Sequence, residues 1–289
     1  MRMNAAGGIR TWSLLAAIAV VAAVATGAAA CGGAGSGNSE AGAPGSSTGA
    51  AALQEDITVF AASSLTDAFN EIGKAFTAAN PKASVAFNFA SSSTLATQIN
   101  EGGPADVFAS ADSATMKTVT DKGNASDPRT FATNLPVVVV PKSGSPVAAF
   151  ADLAKPGIKL VLAAPEVPIG NYARTVLANA SAASGGISAD FSKKVIANLK
   201  SNESNVKAVL AKIQTGEADA GIVYGTDAAA VPNDVKTIAI PQQYNVIATY
   251  PIATVTATKH LDVATAFVQF VLGSAGQGIL AKWGFMSAQ

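Results

Sequence analysis

The stretch VFAASSLTDAF, residues 59–69, decides the fold. It lies at the end of DITVFAA (56–62), where Ile57, Val59 and Ala61 share one face at the two-residue period of a β-strand. It then continues into a helix, because Leu65, Ala68, Phe69, Ile72 and Phe76 recur at three- and four-residue spacing. Between the two patterns sit Ser63 and Ser64, with no Lys or Arg beside them. The same succession returns at NFASSSTLATQI (88–99). There the strand ASVAFNFA runs into Ser91, Ser92, Ser93 and Thr94, and Leu95 and Ile99 begin a second helix.

Outward from these junctions the alternation continues. ADVFASAD (105–112) reads as a third strand, with a helix from Ala114. LPVVVVPK (135–142) and IKLVLAAP (158–165) are apolar enough to be strands covered on both faces. Helical spacing follows at Tyr172, Val176 and Leu177, and again at Val206, Val209, Leu210 and Ile213. DAGIVYG (219–225) and YPIATVT (250–256) are later strands, and 261–272 and 276–283 are terminal helices. Repeated βα alternation predicts an α/β fold of mainly parallel sheets flanked by helices, with ligands at the carboxyl ends of the strands.

The first fifty residues have a different character. Arg2 and Arg10 precede the apolar run WSLLAAIAVVAAVATGAAA (12–30), which has the form of a secretory signal over residues 1–30. A retained membrane anchor is the alternative, since the run is close to the lower limit of about 17 residues for a span. Cys31 is the only cysteine, so no intramolecular disulfide is available. Its place after Ala-Ala-Ala and before a Gly/Ser-rich segment resembles a bacterial lipoprotein processing site, although Ala28 stands where Leu is usual. Residues 31–52 then form a lipidated Cys and a flexible tether. GSSTG (45–49) matches the form of a hydrolase nucleophile elbow, but the required strand and helix have no place in this linker.

Composition excludes several function classes. Nineteen basic and nineteen acidic residues cancel, with no basic block, which argues against nucleic acid. One histidine, His260, and one cysteine leave no cluster of metal ligands and no base near a nucleophile. No cofactor motif is present.

A helix N-terminus bares backbone N–H groups and a partial positive charge, so it holds an anion without a cationic side chain. Ser64 also suits an N-cap, with Asp67 three residues on in the place of a capping box. Taken singly, either serine cluster reads as a helix cap. Two clusters, each with hydroxyls beyond what one cap uses, favour an anion site. The turn Pro168-Ile169-Gly170 and the polar run before Val206 offer further backbone donors, while Tyr224 taken alone is a half-buried strand tyrosine.

VFAASSLTDAF, FASSSTLATQI, GGPADVFASAD, PEVPIGNYA and GIVYGTDA occur in this order. Together they resemble the periplasmic molybdate-binding proteins of ABC transporters, a family with the two-lobed type II periplasmic-binding-protein fold, over roughly residues 56–285. The resemblance implies an oxyanion, molybdate and with it tungstate, held between lobes by Ser64, Ser92, the amides at Ile169 and Val206, and the hydroxyl of Tyr224. Ser63, Ser91 and Ser93 are left as caps and turn supports, and Glu166 has no role. Molybdenum enters only as the oxyanion, and there is no cofactor. Further implications are a membrane permease as partner, lipid anchorage at Cys31 on the outer face of the cytoplasmic membrane, and a monomer. With LPVVVV as the crossing strand and the return before YPIATVT, lobe one is 53–134 plus 250–289 and lobe two 135–249. Sulfate is the main rival ligand. A serine hydrolase dependent on His260, a ferric site built on tyrosinates and an adhesive surface lipoprotein are the other readings.

Overall fold

The computed structural model describes residues 53–182 and 187–288. The signal sequence, Cys31 and the linker expected from the sequence lie outside the described residues.

The chain begins with β1 (Asp56–Ala62), a 3₁₀ turn (Ser63–Leu65), α1 (Thr66–Ala79), β2 (Ser84–Ala90), α2 (Ser92–Asn100), β3 (Val107–Ala109), α3 (Ser113–Thr120) and β4 (Ala125–Asn134). It passes through Leu135 into β5 (Pro136–Pro141), a second 3₁₀ turn (Phe150–Ala154), β6 (Leu160–Ala163), α4 (Pro168–Ala182) and α5 (Phe191–Ala197). Then come β7 (Leu199–Glu203), α6 (Val206–Gln214), β8 (Ala220–Tyr224), α7 (Gly225–Ala229) and β9 (Val235–Ile238). The segment 239–247 leads back to β10 (Ala248–Val255), followed by α8 (Leu261–Leu272) and α9 (Ser274–Lys282).

Two five-stranded sheets result, ordered β2-β1-β3-β10-β4 and β7-β6-β8-β5-β9. Each has a parallel trio, β2-β1-β3 or β7-β6-β8, built by βαβ crossovers. β10 pairs antiparallel with β3 and β4, and β5 pairs antiparallel with β8 and β9. The parallel pairing expected from βα alternation therefore holds in the trio, and each sheet as a whole is mixed. β5 and β10 are the strands that follow the two passages between sheets. They arrive from the other lobe, so no helical crossover constrains their direction.

The sequence pattern missed β4, β7 and β9, and all three are edge strands. An edge is half solvated and carries polar and irregular sequence without penalty. β4 reads ASDPRTFATN, contains Pro128 and a positive φ of 48° at Asp127, and slips register twice against β10. The short helices α5 and α7 likewise lack a long enough apolar period to read.

Helices cover both faces of the first sheet. Leu65 at the cap of α1 and the α1 positions Phe69, Ile72 and Phe76 are buried with Ile57 and Val59, and Phe69 and Phe76 meet Phe267 of α8 edge to face. Phe60, on the opposite side of β1, packs with Leu95, Ile99, Phe108 and Met116 under α2 and α3. Each such side chain contributes about 1.5–3 kcal/mol through burial.

At the start of α4, Gly170 lets the helix close directly on the end of β6. A Cβ at this position would stand 2.0 Å from the Ala164 carbonyl oxygen and 2.5 Å from that of Ala163. Those are backbone atoms, so α4 would have to lift. Gly170→Ala is expected to destabilise the protein by about 2 kcal/mol or more in urea denaturation. A loss below about 0.5 kcal/mol, within the range of ordinary surface changes, would show that α4 does not need this close approach.

Candidate functional site

The carboxyl ends of both parallel trios point into one small cavity, with only about 10 Å³ open to the centre of a water molecule. From the first lobe it is lined by Ala62, Ser63 and Ser64 after β1, Ser91 and Ser92 after β2, and Ala111 after β3. From the second come Val167, Pro168 and Ile169 after β6, Val206 after β7, and Tyr224 at the end of β8. All five residues singled out from the sequence, Ser64, Ser92, Ile169, Val206 and Tyr224, are buried in this lining. No charged side chain, among the described residues, is part of it. Glu166 lines a neighbouring groove together with Lys122 and Asp112 instead.

The local geometry leaves donors free. Ser91 is the N-cap of α2 and its hydroxyl accepts from the Thr94 N–H at 3.2 Å. Asn205 caps α6 in the same way, with Oδ1 accepting from the Ala208 N–H at 3.0 Å. A cap of this kind satisfies the third N–H of the helix, and the first-turn amides at Ser92 and Val206 have no intrahelical acceptor. In α4 the first position is Pro168, which has no N–H, so Ile169 carries the first one available.

Ser64 departs from the expected N-cap. It lies inside the 3₁₀ turn, Leu65 occupies the cap position of α1, and no side chain caps that helix. The Ser64 hydroxyl instead sits 3.1 Å from the hydroxyl of Tyr250. Asp67 does not close a capping box either, because its carboxylate accepts from Lys207 Nζ at 2.9 Å. The 3₁₀ turn withdraws Ser64 from the cap and leaves it facing the cavity. Ser92 is held from behind, its Oγ accepting from the Ala111 N–H at 2.9 Å.

Tyr224 has a hydroxyl without a hydrogen-bond partner inside the protein. Burial, reinforced by Tyr250, Tyr172, Asp112 and Asp227, pushes its pKa well above the ordinary 10, so it stays protonated and remains a donor. Its ring meets Tyr250 edge to face at 5.6 Å and Tyr172 at 6.5 Å.

Sequence reasoning missed Tyr250, Ala111 and Arg174 as site supports. Arg174 donates to the carbonyls of Ala163 (2.9 Å) and Gly170 (2.7 Å) and to Asn202 Oδ1 (2.6 Å), bracing the β6 and β7 ends against α4. Tyr250 lies in the late strand read as YPIATVT, but nothing local signals that its hydroxyl meets Ser64, 186 residues earlier. His260 pairs with Glu55 at 2.8 Å on the surface of the first lobe, away from the cavity. Among the described residues no group of three or more His, Cys, Asp or Glu is gathered to hold a metal ion.

A cleft closed between two α/β lobes and walled by hydrogen-bond donors from both defines a binding protein of the two-lobed solute-capturing class. Residues 57–286 match the family model described as bacterial extracellular solute-binding protein, and the chain belongs to that family. It is 40% identical over 251 residues to the molybdate-binding protein ModA of Mycobacterium tuberculosis, covering 86% of this chain and 90% of that one. It is 33% identical over 235 residues to the putative ABC transporter substrate-binding lipoprotein YvgL of Bacillus subtilis, covering 79% and 85%. The structure of the sulfate-binding protein SubI from Mycobacterium tuberculosis superposes with a TM-score of 0.73 at 21% identity, over 82% of this chain and 88% of that one, a likeness of fold. The protein is thus an extracytoplasmic solute-binding protein, not an enzyme.

Beside the cavity, burial pushes the Asp227 carboxyl up to about 6 from the usual 3.8, against the opposing pull of Lys207. The folded state therefore binds this proton more tightly than the unfolded chain. That contribution to stability is complete below about pH 4 and is lost as pH rises through about 6. The stability of Asp227→Asn relative to wild type is expected to rise by about 3 kcal/mol from about pH 4 to about pH 8. Urea denaturation across that range checks this, and a difference independent of pH would contradict it.

Proposed function

We propose that this protein captures molybdate, and tungstate with it, between its lobes through Ser64, Ser92, Tyr224 and the amides of Ile169 and Val206, and hands the ion to an ABC importer. The observation that carries this reading is a closed cavity lined by neutral donors from both lobes, with no acceptor carboxylate. An oxyanion without a proton at neutral pH needs donors only. Hydrogen phosphate carries a proton and asks for a strong acceptor such as a carboxylate, which this lining lacks. The supports behind the serines favour the same ligand. The Ala111 N–H donates to Ser92 Oγ, which leaves the Ser92 proton for the anion, and Ser64 Oγ lies 3.1 Å from the Tyr250 hydroxyl, a pair in which either oxygen can donate.

Hydrogen bonds to an ion contribute about 1.5–3 kcal/mol each. Roughly five to seven of them, less the cost of closure and ordering, give sub-micromolar binding. The same reading makes the protein a monomer tethered by lipid at Cys31 to the outer face of the cytoplasmic membrane. The lipoprotein name of the Bacillus relative supports that anchorage. Cys31→Ala is expected to move the protein from the membrane fraction to the soluble fraction of an expressing cell. Retention of the variant in the membrane would contradict lipid attachment.

Calorimetric titration with molybdate, tungstate, sulfate and phosphate tests the ligand. Molybdate and tungstate are expected to bind below micromolar and phosphate at least about 100-fold more weakly. Sulfate binding tighter than molybdate would replace the reading, and no response to any of the four would end it. Tyr224→Phe is expected to weaken molybdate binding by about 1–3 kcal/mol while leaving the ligand-free Tm unchanged or raised, since it removes a buried hydroxyl without a partner. Unchanged affinity would remove Tyr224 from the site.

A further inference from the structure

Lys207 follows Val206 in the first turn of α6, the end of the helix where a positive charge is disfavoured by the macrodipole. Its placement therefore does not serve the helix, and its partners show another use. Lys207 Nζ lies 2.9 Å from Asp67 Oδ2, in the first turn of α1 on the other lobe. It also lies 3.3 Å from Asp227 Oδ1 within its own lobe, an ion pair without hydrogen-bond geometry. Asp227 is 1% exposed, whereas Lys207 and Asp67 have side chains 33% and 41% exposed. Burial works to lower the Lys207 pKa, but Asp227 and Asp67 outweigh it and raise it, so the ammonium is charged. Among the described residues, Lys207–Asp67 is the only ion pair that joins the lobes.

We propose that Lys207 is a positioning residue whose ion pair with Asp67 latches the closed cleft and slows release of the bound anion. The pair ties together the first turns of α1 and α6, the helices that follow Ser64 and begin at Val206. α6 also packs directly on the Ser63–Leu65 turn. Asp227 keeps Lys207 charged and aimed in its own lobe, so closing the cleft adds Asp67 to a cation already in place. Opening removes that one contact and leaves no buried carboxylate unpaired. Bonds at the chain passage, such as Asn134 Nδ2 donating to Thr226 Oγ1 at 2.8 Å, sit beside the crossing strands, where a rotation of the lobes moves them little.

The inference rests on anion capture by the cleft, and the experiment separates the two. Stopped-flow and calorimetry with molybdate compare wild type, Asp67→Asn and Asp67→Glu; Asp67 is chosen because replacing Lys207 would strand the Asp227 charge. Asp67→Asn is expected to raise the dissociation rate and Kd about two- to five-fold, the scale of a partly exposed ion pair, with little change in the association rate. It is also expected to flatten the salt dependence of Kd, while Asp67→Glu restores both. A purely structural role would lower the ligand-free Tm without altering dissociation or salt dependence. Equal dissociation rates in wild type and Asp67→Asn would overturn the latch. If wild type ignores molybdate, the ligand reading fails alone. Small-angle scattering of the ligand-free proteins then decides the latch, an unchanged radius of gyration in Asp67→Asn overturning it and an expansion supporting it.

Discussion

The first turn of an α-helix leaves backbone N–H groups without acceptors, and the cavity is built on that deficit. α2, α4 and α6 all start at the cavity, and the 3₁₀ turn before α1 lines it as well. Ser91 and Asn205 cap their helices by taking only the third N–H, and Pro168 opens α4 without one. Hydroxyls at Ser92 and Tyr224 add donors, the first accepting from the Ala111 N–H and the second without a partner inside the protein, and Ser64 adds a third beside the Tyr250 hydroxyl. Neutral dipoles fixed in this way favour a negative charge by geometry. A lysine in the lining would bind any anion by charge and would discriminate less by shape.

Closure follows from the same topology. Each lobe is a parallel trio with its middle strand first in sequence, and the crevice at the carboxyl ends lies where the neighbouring connections leave in opposite directions. Two such crevices face each other, joined by two chain passages at Leu135 and residues 239–247. The donors that line the cavity are therefore divided between bodies that a hinge can separate. Tyr250 stands two residues into the return strand and touches both Ser64 and the ring of Tyr224, so the passage and the cavity are physically continuous.

Much of this was legible in the sequence because it is local. The strand-to-helix junction at 59–69, its echo at 88–99 and the apolar strands at 135–142 and 158–165 carry their periodicity within a few residues. The resemblance to molybdate-binding proteins drew together five residues that share one cavity in the structure. The polar edge strands β4, β7 and β9 were not legible, since an edge does not require a continuous apolar face. Ser64 looked like a cap because Asp67 follows at the right interval. Only the fold shows that Asp67 faces Lys207, 140 residues away, and that Tyr250 takes the space behind Ser64. Contacts of that range leave no mark on local spacing.

The central claim is that neutral donors from both lobes surround a fully ionised oxyanion. A crystal structure of the molybdate complex, phased at the molybdenum edge, tests it most directly. The account predicts one molybdenum peak in the cavity. Its oxygens should lie about 2.6–3.1 Å from the hydroxyls of Ser64, Ser92 and Tyr224 and from the amide nitrogens of Ile169 and Val206, with no carboxylate within reach. A molybdenum peak elsewhere, or an anion held in this cleft by a lysine or arginine side chain, would contradict it.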